Sequence, residues 1–324
     1  MRIFAAIFIV LALSITGLLL FAPREPVTGP LTFTQDRLGE DLDLYLAAEE
    51  AEYDDIVPGT QKRIVWAGEA GVRTTFSIVY IHGFSATSEE IRPVPDNVAE
   101  ALGANLYYTR LAGHGRGAEA MLDGSVPRWI DDYAQAVAIG DRLGERVIVM
   151  GTSTGGTIAT LGLFDTRIQQ DVAGLILVSP NFRIASAGES VLTLPLARYW
   201  VPRFAGTERS AEVANVDHEA FWTTRYSTLA LLPMAASVQA TGLLPYGETE
   251  VPALFIFSDE DQVVDHSVTR EIAEAWGAPV QIINPGLNEG DDPDAHVIAG
   301  DIMSPSQTDQ ISEQMIRWIA TTLN

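Results

Sequence analysis

Ser153 stands in the stretch VIVMGTSTGGTIA, residues 147–159, where four apolar residues run into six small ones. A serine hydroxyl is a weak nucleophile unless a base takes its proton, an acid orients that base, and hydrogen-bond donors await the oxyanion. The pattern G-x-S-x-G marks a sharp strand-to-helix bend that presents such a serine, and it needs small neighbours because strand and helix pass close together. Gly151, Gly155 and Gly156 meet that need. The chemistry expected of Ser153 is acyl transfer.

The partners can be sought separately among the chain's histidines: His82, His114, His218, His266 and His296. In the order serine, acid, histidine that accompanies this bend, the base comes after the penultimate strand, which leaves His266 and His296. His266 opens a helix a few residues past the expected acid. His296 follows the last strand-like run, VQIIN, by a loop long enough to fold back over the serine, and is the expected base. The run FIFSDEDQVV ends in three carboxylates. Asp261, in the turn before an apolar pair, is placed to point back at the imidazole, while Asp259 and Glu260 read as solvated turn residues. The oxyanion donors are expected to be backbone N–H groups, that of Thr154 and, from the loop after SIVYIHG, that of Phe84.

These residues need a scaffold that brings several strand ends together. After residue 62 the chain alternates strand-like runs (RIVWA, TFSIVYIHG, ANLYYTRLAG, RVIVMG, VAGLILVSP, PALFIFSD, VQIIN) with helical ones, one of them starting at Thr154. That alternation implies βαβ units and a mainly parallel sheet flanked by helices. Residues 182–250 interrupt it. They are too many for an ordinary connection and, with their aromatic residues and prolines, are expected to form short helices packed as a cap between two late strands. The core is then 63–181 and 251–324, preceded by a tether and a surface helix over 23–62 whose carboxylates read as a solvated face. Residues 1–22 run without a charge from Ile3 to Ala22, enough to cross about 30 Å of hydrocarbon. They are expected to be an uncleaved membrane anchor with the catalytic body extracytoplasmic, periplasmic in a bacterium; a cleaved signal segment, giving a secreted protein, is the alternative.

Composition removes other classes. The formal net charge of −23, with Lys62 the sole lysine among 20 basic residues, leaves no basic stripe for nucleic acid. With no cysteine, thiolate nucleophiles, disulfides and cysteine-based zinc sites are all excluded.

Taken together, YIHGF, RLAGHG, GTSTGG, FSDEDQVVD and DAHVIAGD resemble the α/β-hydrolase superfamily, and within it the branch of monoacylglycerol lipases and small carboxylesterases. The resemblance spans about residues 63–323 and implies an α/β-hydrolase fold with a helical cap. It also implies Ser153 as nucleophile, Asp261 as acid, His296 as base, Phe84 and Thr154 as oxyanion donors, a small-molecule ester of an apolar acyl chain as substrate, and no metal or organic cofactor. Lactonase, acyltransferase, carbon–carbon hydrolase and aminopeptidase reactions share this serine site, and a non-catalytic binding protein could keep the fold. Two departures stand out: Ser258 replaces a common glycine, and NPGLNEGDDPDAH is longer and more acidic than usual. That loop is expected to be solvated, since its aspartates do not match a complete calcium-loop spacing.

Overall fold

The computed structural model describes residues 2–186 and 188–323, without the side chains at positions 2, 3, 5, 6, 12, 15, 18–20 and 189. The apolar N-terminal run is helical over α1 (Arg2–Phe21). Several of its side chains lie outside the described set, so the anchor expectation falls partly outside it too. Among the described residues no helix is long and apolar enough to cross a membrane. Residues 23–41 then run without regular structure, apart from a short 3-10 turn at Gln35–Arg37, to α2 (Leu42–Glu50), which Asp41 caps by accepting from the Leu44 N–H at 3.0 Å. The solvated face expected of this helix is only partly present. Glu50 lies on the same stripe as Leu42 and Leu46, is buried, and takes a bidentate contact from Arg110 at 2.8 Å.

The main sheet contains β1 (Arg63–Val65), β2 (Thr74–Ile81), β3 (Asn105–Tyr108), β4 (Gly144–Thr152), β5 (Val172–Val178), β8 (Ala253–Ile256) and β9 (Val280–Ile283), in the order β1-β3-β2-β4-β5-β8-β9. Only β1 runs antiparallel to its neighbour. The central strands are apolar on both faces because both faces are covered. One side carries α4 (Val126–Leu143), α5 (Thr154–Leu163) and α10 (His266–Ala275); the other carries α3 (Val94–Leu102) and α11 (Thr308–Thr322). In α11 the face bearing Ile311, Met315, Trp318 and Ile319 is buried against the sheet, as their 3.6-residue spacing requires.

The segment 182–250 contains α6 (Glu189–Leu192), α7 (Ala197–Ala205), α8 (Val216–Phe221), α9 (Leu231–Thr241) and a two-stranded antiparallel ribbon, β6 (Glu208–Ser210) with β7 (Arg225–Ser227). Two features differ from a cap of short helices alone. The ribbon carries no alternation of apolar residues, and α9 is buried along most of its length as part of the main core, through Met234, Ala236 and Val238.

Candidate active site

Strand register gathers the site. Ile81 pairs with Gly151, Thr152 with Val178, Val178 with Ile256 and Ile256 with Ile283, so the carboxyl ends of β2, β4, β5, β8 and β9 finish along one edge. In open parallel sheets that edge is where ligands bind. Ser153 stands between β4 and α5 with φ 49° and ψ −117°, a conformation costing about 1–3 kcal/mol that the surrounding structure must impose. The glycines explain how it is imposed. A Cβ on Gly155 would collide with the Ile81 carbonyl oxygen, and one on Gly151 would sit 2.7 Å from the Gly155 oxygen.

A line of hydrogen bonds crosses the site. His296 Nε2 lies 2.9 Å from Ser153 Oγ, and His296 Nδ1 lies 2.8 Å from Asp261 Oδ2. All three residues are buried. Asp261 Oδ1 accepts the N–H groups of Val263 and Val264 at 2.8 and 2.9 Å, which fixes the carboxylate and leaves Oδ2 for the imidazole. Burial pulls the His296 pKa down, but the Asp261 carboxylate, with Glu90 and Asp292 behind it, outweighs burial and raises it above the ordinary histidine value. His266 is elsewhere: it opens α10 and faces Asp259 at 3.6 Å. Asp259 is held by Arg270 (2.6 Å) and Asn284 (2.9 Å), and Glu260 is exposed.

The expected oxyanion donors lie on either side of the serine. Thr154 is the first residue of α5, where N–H groups have no partner within the helix. Phe84 follows Gly83, whose carbonyl oxygen lies 2.9 Å from His82 Nδ1, while His82 Nε2 accepts the Leu111 N–H at 3.1 Å. Because Nε2 must accept, the proton sits on Nδ1 and His82 is neutral, in line with burial pulling its pKa down to about 3. In a trans peptide the Phe84 N–H points opposite to the Gly83 carbonyl, so pinning one aims the other. The Phe84 ring packs edge-on against His114 and Tyr226.

The acidic loop before His296 differs from the solvated loop expected. Asp291 and Asp292 are buried: Asp292 Oδ2 accepts the N–H groups of His296 (3.0 Å) and Val297 (2.8 Å), and Asp291 accepts from Asn288 N–H (2.8 Å) and from Ser306 Oγ–H (2.5 Å). These carboxylates build the loop that carries the histidine. Sequence reasoning missed Asp292 because nothing distinguishes it from the acidic residues around it. Two further non-glycine residues with positive φ, Ser85 (63°) and Ala295 (54°), flank Phe84 and His296.

Residues 182–250 touch all three loops. Ala185 N–H donates to the Val263 oxygen beside Asp261 (2.9 Å), Thr223 N–H to the Ser85 oxygen (2.7 Å), and Asn215 Nδ2–H to the Ile302 oxygen (2.8 Å). The same segment meets the tether: Leu196 N–H donates to the Pro23 oxygen (2.8 Å) and Arg24 to the Thr193 oxygen (2.9 Å), while Arg198 pairs with Glu25 (2.6 Å).

Residues 73–283 match the family described as serine aminopeptidase, S33. Among solved structures, a metagenome-derived lipolytic enzyme is 19% identical with a TM-score of 0.66, over 82% of this chain and 99% of that one. A monoglyceride lipase from Saccharomyces cerevisiae is 10% identical with a TM-score of 0.57, over 84% and 97%. A monoacylglycerol lipase from Paleococcus ferrophilus is 13% identical with a TM-score of 0.55, over 81% and 99%. At these identities the likeness is one of fold. No match was found among curated proteins.

Proposed function

Since the chain belongs to the serine aminopeptidase S33 family of α/β-hydrolases, we propose that it hydrolyses carboxylic esters of apolar acyl chains through Ser153, His296 and Asp261. The observation that carries this reading is the unbroken line Asp261–His296–Ser153, with contacts of 2.8 and 2.9 Å. His296 takes the hydroxyl proton as Ser153 Oγ attacks the ester carbonyl, and the N–H groups of Phe84 and Thr154 bind the oxyanion. The tetrahedral adduct collapses, His296 hands the proton to the departing alcohol, and Ser153 retains the acyl group. Water, losing a proton to His296, then attacks the acyl-enzyme; the acid departs and the proton returns to Ser153 Oγ. Asp261 holds the imidazole tautomer and stabilises its charge.

The insertion is proposed as a cap that shapes the acyl site, because it bonds to the loops that carry Phe84, Asp261 and His296. Residues 1–22 are proposed as a membrane anchor: 20 helical residues rise about 30 Å, the thickness of the hydrocarbon layer. An aminopeptidase reading is favoured by the family's description. Both are tested by turnover of p-nitrophenyl esters of graded chain length beside an aminoacyl p-nitroanilide. An ester hydrolase turns over the esters at least about 100-fold faster; preferential cleavage of the anilide sinks the ester reading and supports the other.

A further inference from the structure

Glu90 is a buried carboxyl that the acyl-transfer steps do not use. It is 3% exposed, in the turn between β2 and α3, and its Oε2 accepts hydrogen bonds from the Gly83 N–H (2.7 Å) and the Tyr80 hydroxyl (3.0 Å). The Tyr80 hydroxyl also lies 3.1 Å from Thr152 Oγ1, one residue before Ser153. A Cβ on Gly83 would collide with Glu90 Oε1 and sit 3.2 Å from Ser153 Cβ, so the carboxyl occupies the side of Gly83 that faces the nucleophile. A Cβ on Gly300 would meet the Ile91 Cα at 2.6 Å and the Glu90 carbonyl oxygen at 3.0 Å, so the histidine-bearing loop lies close over the same turn.

Resting on the reading of Ser153 as nucleophile, we propose that Glu90 is a positioning residue of the oxyanion hole. It holds the N–H of Gly83, the residue whose carbonyl begins the peptide carrying the Phe84 N–H, and links it, through Tyr80, to the Thr152 side chain one residue before Ser153. Gly83 is the residue type least able to hold its own conformation. Here both its polar groups are held, the carbonyl by His82 and the N–H by Glu90. A donor set accelerates acyl transfer only if it is in place before the charge develops, so anchoring Gly83 and Thr152, the residues next to the two donor segments, to one carboxyl bears on rate more than on affinity.

The position of the carboxyl gives it a second effect. Burial pushes Glu90 up to about 7, and the titratable groups facing it are Tyr80 from β2 and His296 from the loop after β9. The nearby Arg63 and Arg92 bond instead to Glu89. Once ionised, Glu90 sets a negative charge beside the developing oxyanion and holds the proton on His296 more firmly. Both effects slow turnover as pH rises through the Glu90 pKa.

The test is kcat and KM against pH for the full chain and for Glu90→Gln, Glu90→Ala, Tyr80→Phe and Ser153→Ala, with circular dichroism to establish folding. Glu90→Ala is expected to lose about 10- to 100-fold in kcat, less than removal of a whole donor, with KM within about twofold. Glu90→Gln, which still accepts both hydrogen bonds, should keep kcat within about threefold at pH 6. Above pH 8 it should exceed the wild type, because the limb near pH 7 is gone. Tyr80→Phe should fall between the two. A Glu90→Ala kcat equal to wild type, or a Glu90→Gln profile superimposed on the wild-type one, overturns the proposal; the Gln profile decides if the Ala variant does not fold. Turnover retained by Ser153→Ala would instead overturn the nucleophile assignment.

Discussion

As the proposed base, His296 must be neutral to take the serine proton, yet its surroundings favour the protonated form: Asp261 is 2.8 Å away, and Glu90 and Asp292 add to its pull. A raised folded-state pKa means that the base is lost earlier as pH falls. Turnover should therefore decline through a pKa above the ordinary 6.5, and this limb should persist in Glu90→Gln at a lower pH. His296→Ala should cost about 10⁴-fold or more in kcat. His266→Ala, whose ring faces Asp259 rather than Asp261, should stay within about twofold. If the two variants exchange these outcomes in an ester assay, the base has been misassigned. At this scale the three residues that meet in one hydrogen-bonded line could be picked out of the chain because each ends or follows an apolar run in a fixed order. Asp292 and Glu90 could not, because a carboxylate's role there depends on which backbone N–H groups fold onto it, and nothing in SEEIRP or EGDDPD marks one acidic residue from its neighbours.

At the level of elements, the alternation of buried strands and amphipathic helices was legible because a parallel sheet covered on both faces requires continuous apolar runs. The β6–β7 ribbon was not, since all three residues of β6 are exposed and polar. The stretch SEEIRPVPDNVAEALG reads as one helix from Ser88 onward, but α3 begins only at Val94 and the preceding residues form turns. That shortening is what allows Glu90 to point inward. The elbow depends on one close approach: α5 lies so near the end of β2 that an added Gly155 Cβ would meet the carbonyl oxygens of both Ile81 and His82. These are backbone atoms and cannot rotate aside. Gly155→Ala should lower stability by about 1–3 kcal/mol, read as a lower denaturation midpoint, and reduce turnover by displacing Ser153. Wild-type stability together with wild-type turnover would show that the strand–helix contact is looser than described.

Across the whole molecule, the tether binds the insertion, and the insertion binds the loops that carry Phe84, Asp261 and His296. A chain of formal net charge −23 gains no net electrostatic attraction to anionic lipid, so membrane attachment would depend on the apolar segment. The full chain should stay in the membrane fraction after an alkaline carbonate wash, and a chain starting at residue 23 should become soluble and keep its ester turnover. Release of the full chain by the wash would defeat the anchor. Whether the fold serves hydrolysis at all is decided most directly by a fluorophosphonate, which phosphorylates only a serine made nucleophilic by its neighbours. Labelling of the folded full chain should give one adduct, on the peptide containing Ser153, and none in His296→Ala. No adduct on the folded protein, or an adduct on another serine, would contradict the assignment of Ser153 as nucleophile.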